Sequence, residues 1–121
     1  MKRLIMTVDD SKTIREMVSF TLKTADYDVL EAEDGVQALD VLGSKSPDLI
    51  ITDVNMPNMD GITLIGKLRE MDKFKSIPII MLTTEHTDDK KTRGRSAGAT
   101  GWIVKPFDPE KLIQVVNKLC Q

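Results

Sequence analysis

Asp9-Asp10, Asp53, Thr83 and Lys105 are the residues of this sequence whose types could bind a cation and a phosphoryl group together. Three carboxylates within a few ångströms of each other repel, and each raises the pKa of its neighbours. Such a cluster costs stability unless a cation fills it. Hard oxygen ligands with several positions left to water suit Mg2+, which dehydrates reluctantly. Zinc does not fit, because the chain has one Cys and one His, far apart in sequence. A metal and the Lys105 ammonium would together neutralise a phosphoryl group, and the Thr83 hydroxyl would donate to one of its oxygens. An Asp nucleophile beside Mg2+, Thr and Lys is an aspartyl-phosphate site. Each residue alone has a plainer reading. Asp9-Asp10 reads equally as a strand-end turn with a helix N-cap, Asp53 as a turn aspartate before Pro57, and Lys105 as a solvated loop lysine. Only their joint placement favours the metal.

That placement depends on the elements. The chain alternates short apolar runs with longer amphipathic ones, five times over. Leu4 to Val8 predicts a buried strand, and Ile14, Met17, Val18, Thr21 and Ala25 then recur at helical spacing. Asp28 to Ala32 is a weaker strand, followed by a short helix marked by Val36, Leu39 and Leu42 and ended by Gly43. Leu49 to Thr52 is a third strand. Gly61, Leu64, Ile65 and Leu68 follow at helical spacing, with Asp60 as N-cap. Ile79 to Leu82 and Trp102 to Val104 are the remaining strands. Leu112, Val115, Val116 and Leu119 form the last helix, with Asp108 as N-cap and Pro109 in its first position.

Near-continuous apolar strands alternating with helices predict an α/β fold with a parallel sheet buried on both faces. Right-handed crossovers leave the doubly wound, flavodoxin-like five-stranded order 2-1-3-4-5 as the leading topology. Ligands in such sheets bind beyond the carboxyl ends of the strands. Strands one and three are neighbours in that order, so Asp9, Asp10 and Asp53 converge, with Thr83 and Lys105 at the next two strand ends. The polar stretch from His86 to Ser96 is the exception. A helix there lacks an apolar stripe beyond Ala97 and Ala99, and Gly94 costs it about 1 kcal/mol relative to Ala. It is expected to be the least stable element.

Composition narrows the class. The 121 residues carry 17 Lys+Arg against 19 Asp+Glu, which suits one domain over residues 1–121 with no output domain. A net charge of −2 argues against a nucleic-acid partner. Cys120 has no second cysteine to pair with, which suits a reducing compartment. The apolar run from Leu4 to Val8 is far short of the ~20 residues of a membrane span. A soluble, cytoplasmic monomer is the expectation.

The four motifs together resemble the response-regulator receiver domains, and most of all their stand-alone chemotaxis members. The likeness runs from Lys2 to Leu119. It rests on Val8-Asp9-Asp10, on Asp53-Val54-Asn55-Met56-Pro57-Asn58-Met59-Asp60-Gly61, on Thr83-Thr84-Glu85 and on Lys105-Pro106-Phe107. The resemblance implies Asp53 as phosphoacceptor. It implies Mg2+ held by the Asp10 and Asp53 carboxylates and the Asn55 backbone carbonyl, with Asp9 acting mainly through water. Lys105 would pair with the phosphoryl group and Thr83 would hydrogen-bond it, and the Lys105–Pro106 peptide would be cis. Trp102 stands where the family carries a switch aromatic, commonly Tyr or Phe. Its plainer reading is a strand residue packed under the neighbouring helix. Asn55 and Glu85 match residues that tune the life of the acyl phosphate in chemotaxis-type receivers.

The same resemblance implies a partner face around Trp102; the cluster Lys90, Lys91, Arg93 and Arg95, whose plainer reading is a solvated helix face, lies beside it and would suit an acidic surface. It implies a chemotaxis-type histidine kinase upstream, a flagellar motor switch protein downstream, and room for a dedicated phosphatase. A phosphorelay shuttle passing its phosphoryl to a histidine phosphotransfer protein would look similar. A haloacid-dehalogenase-type phosphatase wants an acid where Asn55 stands and a cap insertion. A flavodoxin-like cofactor binder would set its phosphate against Asp9-Asp10. His86 and Cys120 read as a solvated loop residue and a partly exposed thiol, and the seven methionines mostly as core filler.

Overall fold

The computed structural model describes residues 2–84 and 88–120, the side chains of Asp88 and Lys90 excepted. Five strands, β1 (Leu4–Val8), β2 (Asp28–Ala32), β3 (Leu49–Asp53), β4 (Ile79–Thr83) and β5 (Gly101–Val104), alternate with five helices. These are α1 (Lys12–Thr24), α2 (Gly35–Leu42), α3 (Gly61–Arg69), α4 (Asp88–Ala97) and α5 (Pro109–Leu119). All strand pairs are parallel, in the order β2-β1-β3-β4-β5. This is the topology expected from the alternation of runs.

Side-chain alternation along the strands divides the core in two. Met6, Val8, Ile50, Ile79 and Met81 pack with α2 and α3 residues such as Leu42, Leu64 and Leu68 on one face. Ile5, Leu49, Ile51, Ile80, Leu82 and Ile103 pack with Val18, Leu22, Leu112 and Val116 of α1 and α5 on the other. Every residue of β3 and β4 is buried, which explains their unbroken apolar spelling. Asp60 and Asp108 cap α3 and α5 as expected, accepting from the Thr63 and Glu110 N–H groups.

Three details differ from the sequence reading. Met17 is half exposed and Ala25 lies beyond the end of α1, whose inward stripe is Val18 and Leu22. Val36 likewise faces outward on α2, where Ala38 and Leu42 are the buried positions. The methionines are mostly core as read, with Met6 and Met81 buried and Met56 and Met59 packed against the core, while Met17 and Met71 are exposed. Gly94 is more than a flaw in α4. It is buried, and a Cβ there would lie 2.4 Å from Met81 Sδ and Cε, so the glycine lets the helix sit directly on β4. Arg69 secures the far end of α4. Its guanidinium donates to the carbonyls of Gly98, Phe74, Lys75 and Ile77 at 2.7–3.2 Å, tying α3, the turn at Asp72–Phe74 and the end of α4 together. A helix without an apolar stripe is thus held by close approach and by one shared cation. Among the described residues, no helix is long and apolar enough to cross a membrane.

Candidate metal and phosphoryl site

The register sets where the strands stop. Val8 pairs with Thr52, Asp53 with Leu82, and Thr83 with Val104, so the next residue along each strand emerges at one edge of the sheet. Asp9, Asp10 and Asp53 each place a carboxylate oxygen within 4.8 Å of the others'. Asp9 and Asp53 are buried and Asp10 is exposed. The donor set is all oxygen, which fits a hard cation such as Mg2+ and not zinc.

Lys105 closes this cluster. Its N–H donates to the Thr83 carbonyl at 2.8 Å, continuing the β4–β5 ladder by one residue and fixing where the side chain starts. The ammonium then lies 3.0 Å from Asp9 Oδ2 and 3.2 Å from Asp53 Oδ1. The following Lys105–Pro106 peptide is cis, as the family resemblance implied. Asp9 is not a helix cap, because Ser11 caps α1 by accepting from the Ile14 N–H. Asp9 instead accepts the Ser11 N–H on Oδ1 at 2.9 Å, an Asx turn that leaves Oδ2 for the lysine.

The electrostatics follow from burial. Burial is the largest cause raising Asp53 from 3.8 to about 6, the charge of Asp9 adds to it, and Lys105 and the Val54 N–H oppose it. Burial lowers the Lys105 pKa, but the hydrogen bond to Asp9 and the charges of Asp53 and Asp9 outweigh it, so the net direction is up. The ammonium is therefore present throughout the physiological range.

Supporting residues were not legible beforehand. Arg15 donates to the Asp9 carbonyl at 2.8 Å and to Glu31 at 3.0 Å, and Glu31 also accepts from Ser19. The arginine therefore braces the backbone that carries Asp9-Asp10. Its only sequence signal is its place one helical turn after the N-cap. Gly61 packs against the other side, where its N–H donates to Val54 O at 2.8 Å. A Cβ there would stand 2.0 Å from the Asp53 carbonyl oxygen, a contact with buried backbone that no small shift relieves. The Asp-Gly pair at 60–61 was read as a cap; it also permits the loop after β3 to fold back over the end of that strand.

Thr83 is buried at the end of β4, and Asn55 is exposed. Trp102, the register partner of Met81, is partly buried against the α2/α3 core, so its ring does pack under α4. Lys91 Nζ and Arg95 Cζ lie 5.0 and 5.2 Å from its ring centroid. Of the basic cluster on α4, these two meet the tryptophan and Arg93 is exposed. The expectations for Glu85 and His86, and for the Lys90 side chain, lie outside the described residues. Cys120 is partly exposed, as read from the sequence.

A sheet of this order with acidic strand ends and a facing lysine defines a class, and the chain's likeness to known proteins names it. Residues 5–117 match the response regulator receiver domain family, and the chain belongs to that family. It is a receiver domain of the two-component type, a family of regulatory switches. Its relatives narrow this further. The chemotaxis protein CheY1 of Helicobacter pylori is 44% identical over 110 residues, which are 89% of each chain. The structure of the chemotaxis response regulator CheY4 of Vibrio cholerae superposes with a TM-score of 0.93 at 44% identity, covering 98% of this chain and 99% of that one. The sensor histidine kinase CheAY of Helicobacter pylori is 38% identical over 117 residues, and the chain spans 95% of its own length but only 15% of that protein. The resemblance to CheY proteins was read correctly from the motifs.

Proposed function

We propose that this receiver is a chemotaxis response regulator that accepts a phosphoryl group on Asp53 and then binds partner proteins. The observation that carries the reading is the single ammonium of Lys105 between two buried carboxylates, with a third carboxylate beside them at the sheet's edge. Asp10 and Asp53, with the Asn55 backbone carbonyl, would hold Mg2+, and Asp9 would act through water. When bound, Mg2+ supplies positive charge against the phosphoryl oxygens. An Asp53 carboxylate oxygen attacks phosphorus as the bond to the donor's leaving atom breaks. Lys105 counters the charge on the transferred group, and the Thr83 hydroxyl donates to it.

The upstream donor in this reading is a chemotaxis-type histidine kinase, and the downstream partner is a flagellar motor switch protein. The partner face is Trp102 with Lys91, Arg95 and the neighbouring basic residues of α4. A groove of about 610 Å³, lined in part by Trp102, Lys105, Pro106 and Lys111, continues it toward α5. Cations over an indole suit an acidic partner surface. Phosphorylation would bias an existing equilibrium through Thr83 and Trp102, with a coupling of about 1–3 kcal/mol.

The test is incubation with acetyl phosphate and MgCl2 followed by intact mass. One added phosphoryl is expected, and none in Asp53→Ala. Uptake that survives the substitution would remove Asp53 from the acceptor role. Trp102, the only tryptophan, gives a second readout. Mg2+ with beryllofluoride, a phosphoryl mimic, is expected to change its emission. Unchanged emission at demonstrated saturation would mean that this aromatic does not move.

A further inference from the structure

The loop from Val54 to Asp60 follows β3 and carries Asn55; Val54 is buried in the core and Met56 and Met59 pack against it, while Asn55, Pro57 and Asn58 are exposed. Beside these apolar anchors, a carboxylate from another part of the chain ties the exposed stretch at Asn58. Asp34 is buried between β2 and α2. Its Oδ1 accepts from the Gln37 N–H at 2.8 Å and so caps α2. Its Oδ2 accepts from Asn58 Nδ2 at 2.8 Å. Asn58 has φ +68°, in the left-handed region that Asn and Asp tolerate better than other side chains. A second tie lies next to it, where the Gly35 N–H points at Met59 O at 3.4 Å. The loop is pinned at its far end by the Gly61 N–H on Val54 O. One buried carboxylate thus joins the first turn of α2 to the loop that follows β3.

We infer that Asp34 and Asn58 are a positioning pair for the acceptor site, holding the 54–60 loop in the shape that brings the Asn55 carbonyl and the Asp53 carboxylate to the same cation. The inference rests on the Mg2+ and phosphoryl reading given above. Neither residue belongs to the acidic cluster. Their influence passes through the loop backbone, as an outer hydrogen bond orients a ligand that it does not replace.

Exchange of the two residues isolates the bond. Asn58→Asp alone sets two carboxylates face to face. Adding Asp34→Asn restores one donor and one acceptor with the roles reversed, and Asn is as good an N-cap as Asp. The carboxylate at position 58 is kept in both, so its long-range attraction for a cation is common to them. Asn58→Gly removes the side-chain bond without backbone strain and serves if the first variant folds poorly.

Three measurements are needed: amide hydrogen exchange over residues 54–59 without metal, Mg2+ affinity by titration, and the rate of uptake from acetyl phosphate, each beside a urea unfolding curve. Asn58→Asp and Asn58→Gly are expected to speed exchange in the loop and weaken Mg2+ binding about tenfold. The exchanged pair is expected to return to within about twofold of the original on both. Unchanged loop exchange and Mg2+ affinity in the single variants would overturn the inference. So would an exchanged pair as stable as the original that fails to recover. If the original chain takes up neither Mg2+ nor phosphoryl, the acceptor reading falls and this inference falls with it. If the original takes up both and the variants match it, only the inference falls.

Discussion

Lys105→Met is expected to lower the unfolding free energy of the metal-free protein by about 3–5 kcal/mol at pH 7, the range for removing one partner from a buried ion pair. The lysine, Asp9 and Asp53 side chains are 12%, 2% and 10% exposed, and one ammonium serves both carboxylates. Methionine keeps the length and the apolar stem, so the loss reports the charge and not a cavity. Protonation of one carboxylate limits the penalty, because a pair left without a cation lowers its energy by taking up a proton. The difference should therefore shrink toward ~1 kcal/mol as the pH falls to about 4, where isolated carboxylates are neutral in part. Saturating MgCl2 should recover much of the loss at pH 7, since a bound cation replaces the missing charge. Phosphoryl uptake should fall about 10²–10³-fold even with Mg2+ present, as for removal of one preorganised stabilising group. Urea unfolding at the two pH values, with and without MgCl2, measures all but the last. A loss under about 1 kcal/mol at pH 7 would return Lys105 to the plainer reading of a solvated loop lysine.

The residues that carry this prediction were legible because strand ends are legible. An apolar run that stops at Asp9, Asp53 or Lys105 announces both the strand and what it delivers, and the crossover rule then fixes which ends are adjacent. The burial of β3 and β4 on both faces follows from the same unbroken runs. Helix faces were less legible. Met17 fits the stripe of α1 by spacing yet stands half exposed, because the stripe that meets the sheet is centred on Val18 and Leu22. Gly94 was read by propensity alone, which prices a lone helix and not its approach to Met81. Arg15, Arg69 and the Asp34–Asn58 bond were invisible for a common reason. Each joins separate elements through one polar side chain, Arg15 to Glu31, Arg69 to Gly98 and Asn58 to Asp34, and no periodicity records such a contact. The supporting layer of the site is therefore what a single sequence hides, while the charged residues at the strand ends are what it displays.

Asp53→Asn is expected to make the metal-free protein more stable at pH 7 and to leave it unchanged near pH 4. Burial, with the charge of Asp9 behind it, raises the Asp53 pKa from 3.8 to about 6 despite Lys105. A carboxyl raised in the folded state binds its proton more tightly there than in the unfolded chain. Its contribution is fully present below the unfolded value and is lost as pH rises toward the folded one, here between about pH 4 and 6. A displacement of this size is at most ~3 kcal/mol. Water at the mouth of the site screens the charge, so about 1–2 kcal/mol is expected. Asparagine mimics the protonated form and does not titrate, so the gap between variant and original should open across that window and stay constant above it. Asp34, held below the usual carboxylate range by the Gln37 N–H and Asn58, gives a slope of the opposite sign in both proteins and cancels in the difference. Mg2+ should reverse the order, because at a hundredfold excess over its dissociation constant a ligand adds ~2.7 kcal/mol to the form that binds it. The original chain, with three carboxylates, gains most of this and the variant little. A gap that ignores pH would mean that Asp53 is ordinary in its surroundings. A gap that ignores Mg2+ would mean that the repulsion among the three aspartates is not what the cation relieves.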